Sequence, residues 1–138
     1  MARKPKALVL DSWAVLAYLE DEGSGQKVAD LIADAHEHGI PLFMSVVNAG
    51  EVWYILAREV SETEADKGVD GLRKLGIEFI GVDWKLSRQA GAYKSKNRMS
   101  YADCFAAALA KEQKAELVTG DKEFRQVESD IRIRWLEA

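Results

Sequence analysis

The chain has 138 residues, of which 48% are hydrophobic and 30% charged, and its net charge is −4. This length favours one domain, residues 1–138, with a proper core, and the ordinary globular composition excludes a disordered chain. The acidic balance excludes a protein that holds nucleic acid through overall positive charge alone. If the protein meets RNA, bound divalent cations must help.

The start of the chain is basic, and its apolar continuation is short. Met1–Lys6 looks like the beginning of a signal peptide, but the following apolar run is only Ala7–Leu10. A signal peptide needs about 7–15 apolar residues there, and a membrane span about 20. The single cysteine, Cys104, cannot form an internal disulfide, which fits a reducing compartment. We therefore expect a cytoplasmic protein with no membrane partner.

Short apolar runs alternate with helical patterns along the chain. Glycines follow two of the predicted helices and favour their ends there. In chain order, the sequence predicts a strand at Ala7–Leu10, helices at Val15–Glu20 and Gln26–His38, a strand at Leu42–Met44, helices at Val46–Val60 and Glu62–Leu75, a strand at Ile77–Val82, helices at Trp84–Lys94 and Tyr101–Gln113, a strand at Glu116–Thr119, a short helix or turn at Asp121–Val127, and a strand at Ile131–Leu136.

Alternation of strands and helices predicts an α/β fold. Strands separated by helices imply parallel βαβ units with right-handed crossovers and helices on both faces of the sheet. We therefore expect one central parallel sheet of about five strands. Ligands of such sheets bind beyond the carboxyl ends of the strands, where the strand order reverses. Asp11 directly follows the first strand and Asp121 the fourth, so these two carboxylates face each other if the fourth strand lies beside the first.

Two further acids lie near predicted helix starts on the same edge. Glu51 and Asp103 each follow a small polar residue, Asn48 and Ser100, at the spacing of a capping box. An acid at this position is often only a cap and a favourable partner of the helix dipole.

The four acids together indicate a metal site. Asp11 is difficult to explain as a cap alone, because a charge at the end of a buried strand is costly unless it is paired or bound to metal. Four converging carboxylates would repel one another and raise one another's proton affinity. Divalent cations remove that penalty, and oxygen-only ligands suit magnesium or manganese.

Other catalytic patterns are poorly supported. The chain has neither a phosphate-binding loop nor a dinucleotide-binding glycine pattern, and no serine lies in a nucleophile elbow. His36 and His38 lie together before Gly39, where solvated residues near a helix end are the simplest interpretation. Cys104 follows Asp103 on a predicted helix and is interpreted as a small core residue.

Four segments of the sequence resemble one known family. The run Val9–Ser12, the pair Glu51–Val52 opening a long helix, and the segments Met99–Ala110 and Leu117–Phe124 resemble the PIN-domain ribonucleases, closest to the VapC-type toxins. Each motif is weak alone, but four in the right order and spacing are fairly specific. The resemblance covers nearly the whole chain and implies a sheet with the strand order 3-2-1-4-5.

The resemblance also implies a function. It implies an endoribonuclease that uses one or two Mg²⁺ or Mn²⁺ ions to hydrolyse RNA, is blocked by a small cognate antitoxin and forms a homodimer. The implied catalytic and metal-binding residues are Asp11, Glu51, Asp103 and Asp121. Ser12 and Thr119 stand where the family tends to place hydroxyl residues that support the acids, and Glu123 or its neighbourhood must supply any fifth ligand.

Several basic and aromatic residues are candidate RNA contacts. A charge run such as the one before Asp103 is usually a solvated face, and tryptophans can stack on unpaired bases but are more often buried. The basic candidates are Lys94, Lys96 and Arg98, with Arg58 or Lys122 as further possibilities; the aromatic ones are Trp13, for which the core or a dimer interface is favoured, and Trp53.

Alternative functions stay open at this stage. A housekeeping PIN nuclease or a non-catalytic PIN-like scaffold would share the fold. A haloacid-dehalogenase-like phosphatase would want a second aspartate two residues after Asp11, where Trp13 stands. A receiver-like signalling domain would want an acidic pair near the first strand, which is missing, although Asp83 could imitate its phosphorylated aspartate.

Overall fold

A computed structural model describes residues 4–20 and 23–136. Part of the basic start and the last two residues of the expected domain lie outside the described residues. The strands are β1 (Leu8–Leu10), β2 (Leu42–Ser45), β3 (Ile77–Ile80), β4 (Glu116–Thr119) and β5 (Arg132–Trp135). The α-helices are α1 (Ser12–Leu19), α2 (Gly25–Glu37), α3 (Val46–Glu59), α4 (Glu62–Lys74), α5 (Trp84–Lys96) and α6 (Tyr101–Gln113), and a 3₁₀ helix spans Lys122–Val127.

The five strands form one parallel sheet in the order β3-β2-β1-β4-β5. In the central strand, Val9 pairs with Phe43 of β2 on one side and with Leu117 of β4 on the other. The expected α/β fold and strand order are therefore confirmed. The order reverses between β1 and β4, so a crevice suited to ligands opens beyond the carboxyl ends of these two strands.

The sheet separates two apolar layers. Successive strand side chains point to opposite faces, so Val9 packs with α5 and α6 while Leu8 and Leu10 pack with α1, α2, α3 and α4. Helix α6 is buried at every position from Cys104 to Ala110, as a helix apolar on all sides requires. Within residues 4–20 and 23–136, no helix combines the length and apolar character that a membrane crossing needs.

The start of α1 and the cap of α3 differ from the sequence-based expectation. Helix α1 begins at Ser12, three residues before the predicted start, because the Asp11 side chain accepts a hydrogen bond from the Ala14 N–H and caps the helix. Helix α3 is capped by Ser45, so the capping box predicted for Asn48 and Glu51 is wrong. Both residues lie inside the helix instead.

Candidate metal centre

Asp11 ends the central strand and is almost completely buried. Its side chain is 1% exposed. One carboxylate oxygen accepts the Ala14 N–H at 2.9 Å, and the other accepts the Thr119 hydroxyl at 2.5 Å. Among residues 4–20 and 23–136, these two hydrogen bonds are all that offset the loss of water around this carboxyl group, and its environment favours the protonated form or a bound cation.

Thr119 links the ends of β1 and β4. Its buried hydroxyl donates to Asp11 and accepts the backbone N–H of Asp121 at 3.0 Å. A single side chain thus contacts both acids that flank the reversal of strand order. The proximity expected for Asp11 and Asp121 follows from the pairing of β1 with β4.

Three carboxylates lie within reach of one ion. Asp121 caps the 3₁₀ helix by accepting the Glu123 N–H at 2.9 Å, and Asp103 lies in the first turn of α6, where the Ser100 hydroxyl accepts its N–H at 3.1 Å. Asp103, Asp121 and Glu123 each offer a carboxylate oxygen, and these oxygens lie within 4.8 Å of one another. Glu123, the candidate for a fifth ligand, therefore lies near both aspartates.

Glu51 and Asp11 lie near this trio, but neither belongs to it. Glu51 lies on α3, half-buried, and its charge helps to raise the pKa of Asp103. The charges of Asp103 and Asp121 in turn help to raise the pKa of Asp11. The structure thus brings all four sequence-predicted acids and Glu123 into one electrostatic neighbourhood.

Burial and mutual repulsion shift two of these carboxyl groups. Burial, reinforced by the charges of Asp103 and Asp121, raises the pKa of Asp11 from 3.8 to about 8, although its two hydrogen bonds oppose the shift. Burial, followed by the charges of Asp121 and Glu51, raises the pKa of Asp103 from 3.8 to about 6. Crowded carboxylates of this kind have a high proton affinity until a cation offsets their charge.

The residues present fit a divalent cation. Every nearby titratable donor is a carboxylate, which is the ligand type that Mg²⁺ and Mn²⁺ prefer. The raised pKa values of Asp11 and Asp103 mark a site where negative charge lacks compensation. In the described part of the chain no basic side chain forms an ion pair with any of the five acids.

Ser12 and Asn48 form a buried contact beside the acids. The Ser12 hydroxyl donates to the Asn48 carbonyl oxygen at 3.2 Å, so Ser12 supports α3 and does not contact a carboxylate directly. Asn48 is completely buried. Sequence reasoning missed its position, because a polar residue three places before an acid indicated only a cap.

Trp13 and Gly120 pack against each other at the rim of the site. A Cβ atom on Gly120 would lie 2.3–2.5 Å from three atoms of the Trp13 ring, closer than any real contact. The indole also packs on the apolar layer of α1 and α2, which agrees with the core interpretation of Trp13. The other tryptophan, Trp53, donates its ring N–H to Asp66 at 2.9 Å.

The candidate RNA-contact cations have different surroundings. The Lys94 ammonium donates to the Met99 carbonyl oxygen at 2.6 Å, and Lys96 lies close enough to Asp130 to lower its pKa. Arg98 is exposed, and the side chain of Gln126 joins its backbone to the carbonyl of Glu123. These hydrogen bonds connect the Arg98 backbone to the segment that carries Glu123.

The stability of the metal-free protein should fall as the pH rises from about 4 to about 8. Asp11 and Asp103 bind protons more tightly in the folded protein than in the unfolded chain, so their contribution is complete below pH 3.8 and is lost as the pH rises through about 6 and about 8. Urea unfolding in chelator at three pH values would measure this slope. Asp11→Asn should flatten it, whereas Asp83→Asn, at the cap of α5, should not; equal slopes in all three proteins would contradict the assignment.

Comparison with known proteins identifies the family. The PIN domain family model matches residues 8–129. Comparison with curated protein sequences gives no significant match. The fold and the acidic crevice define an α/β protein of the PIN type, and the chain belongs to the PIN domain family.

Solved structures of toxin–antitoxin proteins share this fold. VapBC2 from Rickettsia felis, bound to a DNA fragment from its promoter, is 15% identical with a TM-score of 0.75, covering 95% of this chain and 99% of that one. VapC20 from Mycobacterium tuberculosis, a sarcin–ricin loop cleaving toxin, is 17% identical with a TM-score of 0.71, covering 91% and 96%. VapBC-1 from nontypeable Haemophilus influenzae is 15% identical with a TM-score of 0.72, covering 94% and 97%.

Proposed function

We propose that this protein is a metal-dependent endoribonuclease and the toxin of a VapBC-type toxin–antitoxin pair. The observation on which this rests is the trio of carboxylates, Asp103, Asp121 and Glu123, whose oxygens lie within 4.8 Å of one another beside the buried Asp11. RNA as the substrate class is supported by the similar fold of VapC20, described as cleaving the sarcin–ricin loop.

One or two Mg²⁺ or Mn²⁺ ions would be held at this site. We assign Asp11, Glu51, Asp103 and Asp121 as ligands, with Glu123 as the fifth and Thr119 as the residue that orients Asp11 and Asp121. When bound, a divalent cation would lower the pKa of a water molecule at the site and would stabilise negative charge on the phosphodiester.

The carboxylates provide the proton acceptor for hydrolysis. Water oxygen forms a bond to phosphorus, and the bond from phosphorus to the leaving ribose oxygen breaks. Asp103 accepts a proton from the attacking water, and this proton then passes to the leaving oxygen. The step needs no covalent intermediate with the protein.

Substrate binding would involve the basic segment before α6. All three of its cations are exposed, and Arg98 is the one whose backbone is linked through the Gln126 side chain to Glu123. Lys94 is engaged by the Met99 carbonyl oxygen, and Lys96 lies toward Asp130. We therefore assign the first phosphate contact to Arg98, with the two lysines, Arg58 and Lys122 in weaker outer contacts.

We further propose a cognate antitoxin as inhibitor, a homodimer and a cytoplasmic location. Two of the similar structures, VapBC2 and VapBC-1, are described as VapBC proteins, which supports an antitoxin partner. A small reading frame directly upstream of the coding sequence would favour a toxin over a housekeeping PIN nuclease. Membership of the PIN domain family excludes the receiver-like and phosphatase-like alternatives.

The test is cleavage of a mixed RNA pool by purified, partner-free protein. We expect cutting with Mg²⁺ or Mn²⁺ and none with EDTA, with activity restored when excess metal is returned. Metal titration by calorimetry, run in parallel, separates a narrow substrate from a scaffold. Cutting that persists in EDTA, or the absence of both cutting and metal binding, would refute the proposal.

A further inference from the structure

Asn48 lies on α3 at the point where α1, α3 and α6 meet. Its side-chain amide donates to the Ser12 hydroxyl at 3.4 Å and to the Ala102 carbonyl oxygen at 3.1 Å. The Ser12 hydroxyl donates back to the backbone carbonyl oxygen of Asn48 at 3.2 Å. One buried side chain therefore joins three segments that are far apart in the sequence.

Each of these segments holds an acid next to the contact. Ser12 follows Asp11 directly, Ala102 precedes Asp103 directly, and Asn48 lies one helical turn before Glu51. Residues three apart on a helix share one face. The hydrogen bonds of Asn48 thus fix the relative positions of three segments, and these carry carboxylates at the end of β1, on α3 and at the start of α6.

Stability alone does not explain an asparagine at this position. The Ala102 carbonyl accepts only, so the amide NH₂ must face it, and this orientation leaves the side-chain oxygen of Asn48 without a hydrogen-bond partner among the described residues. A buried acceptor without a partner is destabilising. A small apolar side chain would avoid that cost but would lose both contacts. A half-satisfied buried amide therefore indicates a geometric function.

We propose that Asn48 is a positioning residue that holds the segments carrying Asp11, Glu51 and Asp103 in fixed positions around the metal site. The inference rests on the proposed function, because it takes these acids to be metal ligands. Residues that orient metal ligands typically change metal affinity by roughly 10- to 100-fold when they are mutated.

The test is the affinity for Mn²⁺ and Mg²⁺, measured by calorimetry on the whole chain without RNA. Asn48→Ala should lower the affinity roughly tenfold. Val52→Ala, a cavity in the same helix at a fully buried position, is the control for loss of stability and should keep the wild-type affinity. Thermal unfolding of each protein fixes a common temperature at which all are folded.

The outcomes separate this inference from the proposed function. Absence of metal binding in the wild type would refute the proposed function, and with it the inference. Wild-type binding with equal affinities in Asn48→Ala and Val52→Ala would overturn the role of Asn48 alone. A fall confined to Asn48→Ala would support it.

If Asn48→Ala does not fold, Ser12→Ala provides a second test of the role of Asn48. It removes the contact to the Asp11 segment and leaves the Asn48 contact to Ala102 in place. We expect Ser12→Ala to lower the metal affinity by less than the roughly tenfold loss expected for Asn48→Ala, because one of the two Asn48 contacts remains. Unchanged affinity in Ser12→Ala would refute the link.

Discussion

Asp11→Asn should abolish metal-dependent RNA cleavage and leave the fold intact or more stable. Asparagine can keep the cap of α1 through its carbonyl oxygen, and it removes a carboxyl group whose charged form is disfavoured by burial. The cation loses a ligand, however. Because changes in groups that only orient ligands cost roughly 10- to 100-fold, we expect at least about a 100-fold loss here.

Single-turnover cleavage and thermal unfolding of the same preparation would measure both effects. Asp83→Asn is the matched control, since Asp83 also follows a strand and caps the next helix but lies outside the acidic group. Wild-type cleavage by Asp11→Asn would remove this residue from the site. A large loss of stability would show that the negative charge at this position supports the fold.

Gly120→Ala should reduce both stability and activity. The added methyl group would meet the Trp13 ring at 2.3–2.5 Å, so the ring or the loop from Thr119 to Asp121 must move. Overpacking of this kind typically costs about 1–3 kcal/mol. A shift of about 1 Å in a catalytic group can cost on the order of 10²-fold in rate, and this loop positions Asp121.

A second substitution tests the cause. The three ring atoms closest to the added methyl belong to the six-membered part of the indole, which phenylalanine lacks in that position. Trp13→Phe should therefore restore part of the stability and cleavage lost in Gly120→Ala, although it is mildly destabilising alone. Strictly additive losses of unfolding free energy in the double variant would contradict the steric explanation.

The sheet was predictable because each strand has an unambiguous local signal. Leu42–Met44 and Glu116–Thr119 are short apolar runs between helical patterns, and both are strands in the structure. Periodicity alone did not predict where α1 begins. Asp11 caps that helix from the end of a strand, and the N-cap interaction extends the helix to residues before its first apolar pair.

The sequence predicted which acids lie close together better than it predicted how they are arranged. Asp11 and Asp121 follow adjacent strands, so the topology alone places them together. Glu123 follows Asp121 by two residues on the 3₁₀ helix, and the fold places its carboxylate near Asp103 of α6 as well. The contacts of Asn48 depend on how three helices pack, which sequence spacing does not encode.

The pairing of β1 with β4 also determines when the protein can become active during its synthesis. The hydroxyl of Thr119 reaches Asp11 across 108 positions of the chain, and Asp121 follows two residues later. A nascent polypeptide that has not yet released β4 from the ribosome has Asp11, Glu51 and Asp103 but lacks Thr119, Asp121 and Glu123. Under the proposed function, translation that stops before Asp121 therefore yields fragments that lack the assembled centre and do not cleave RNA.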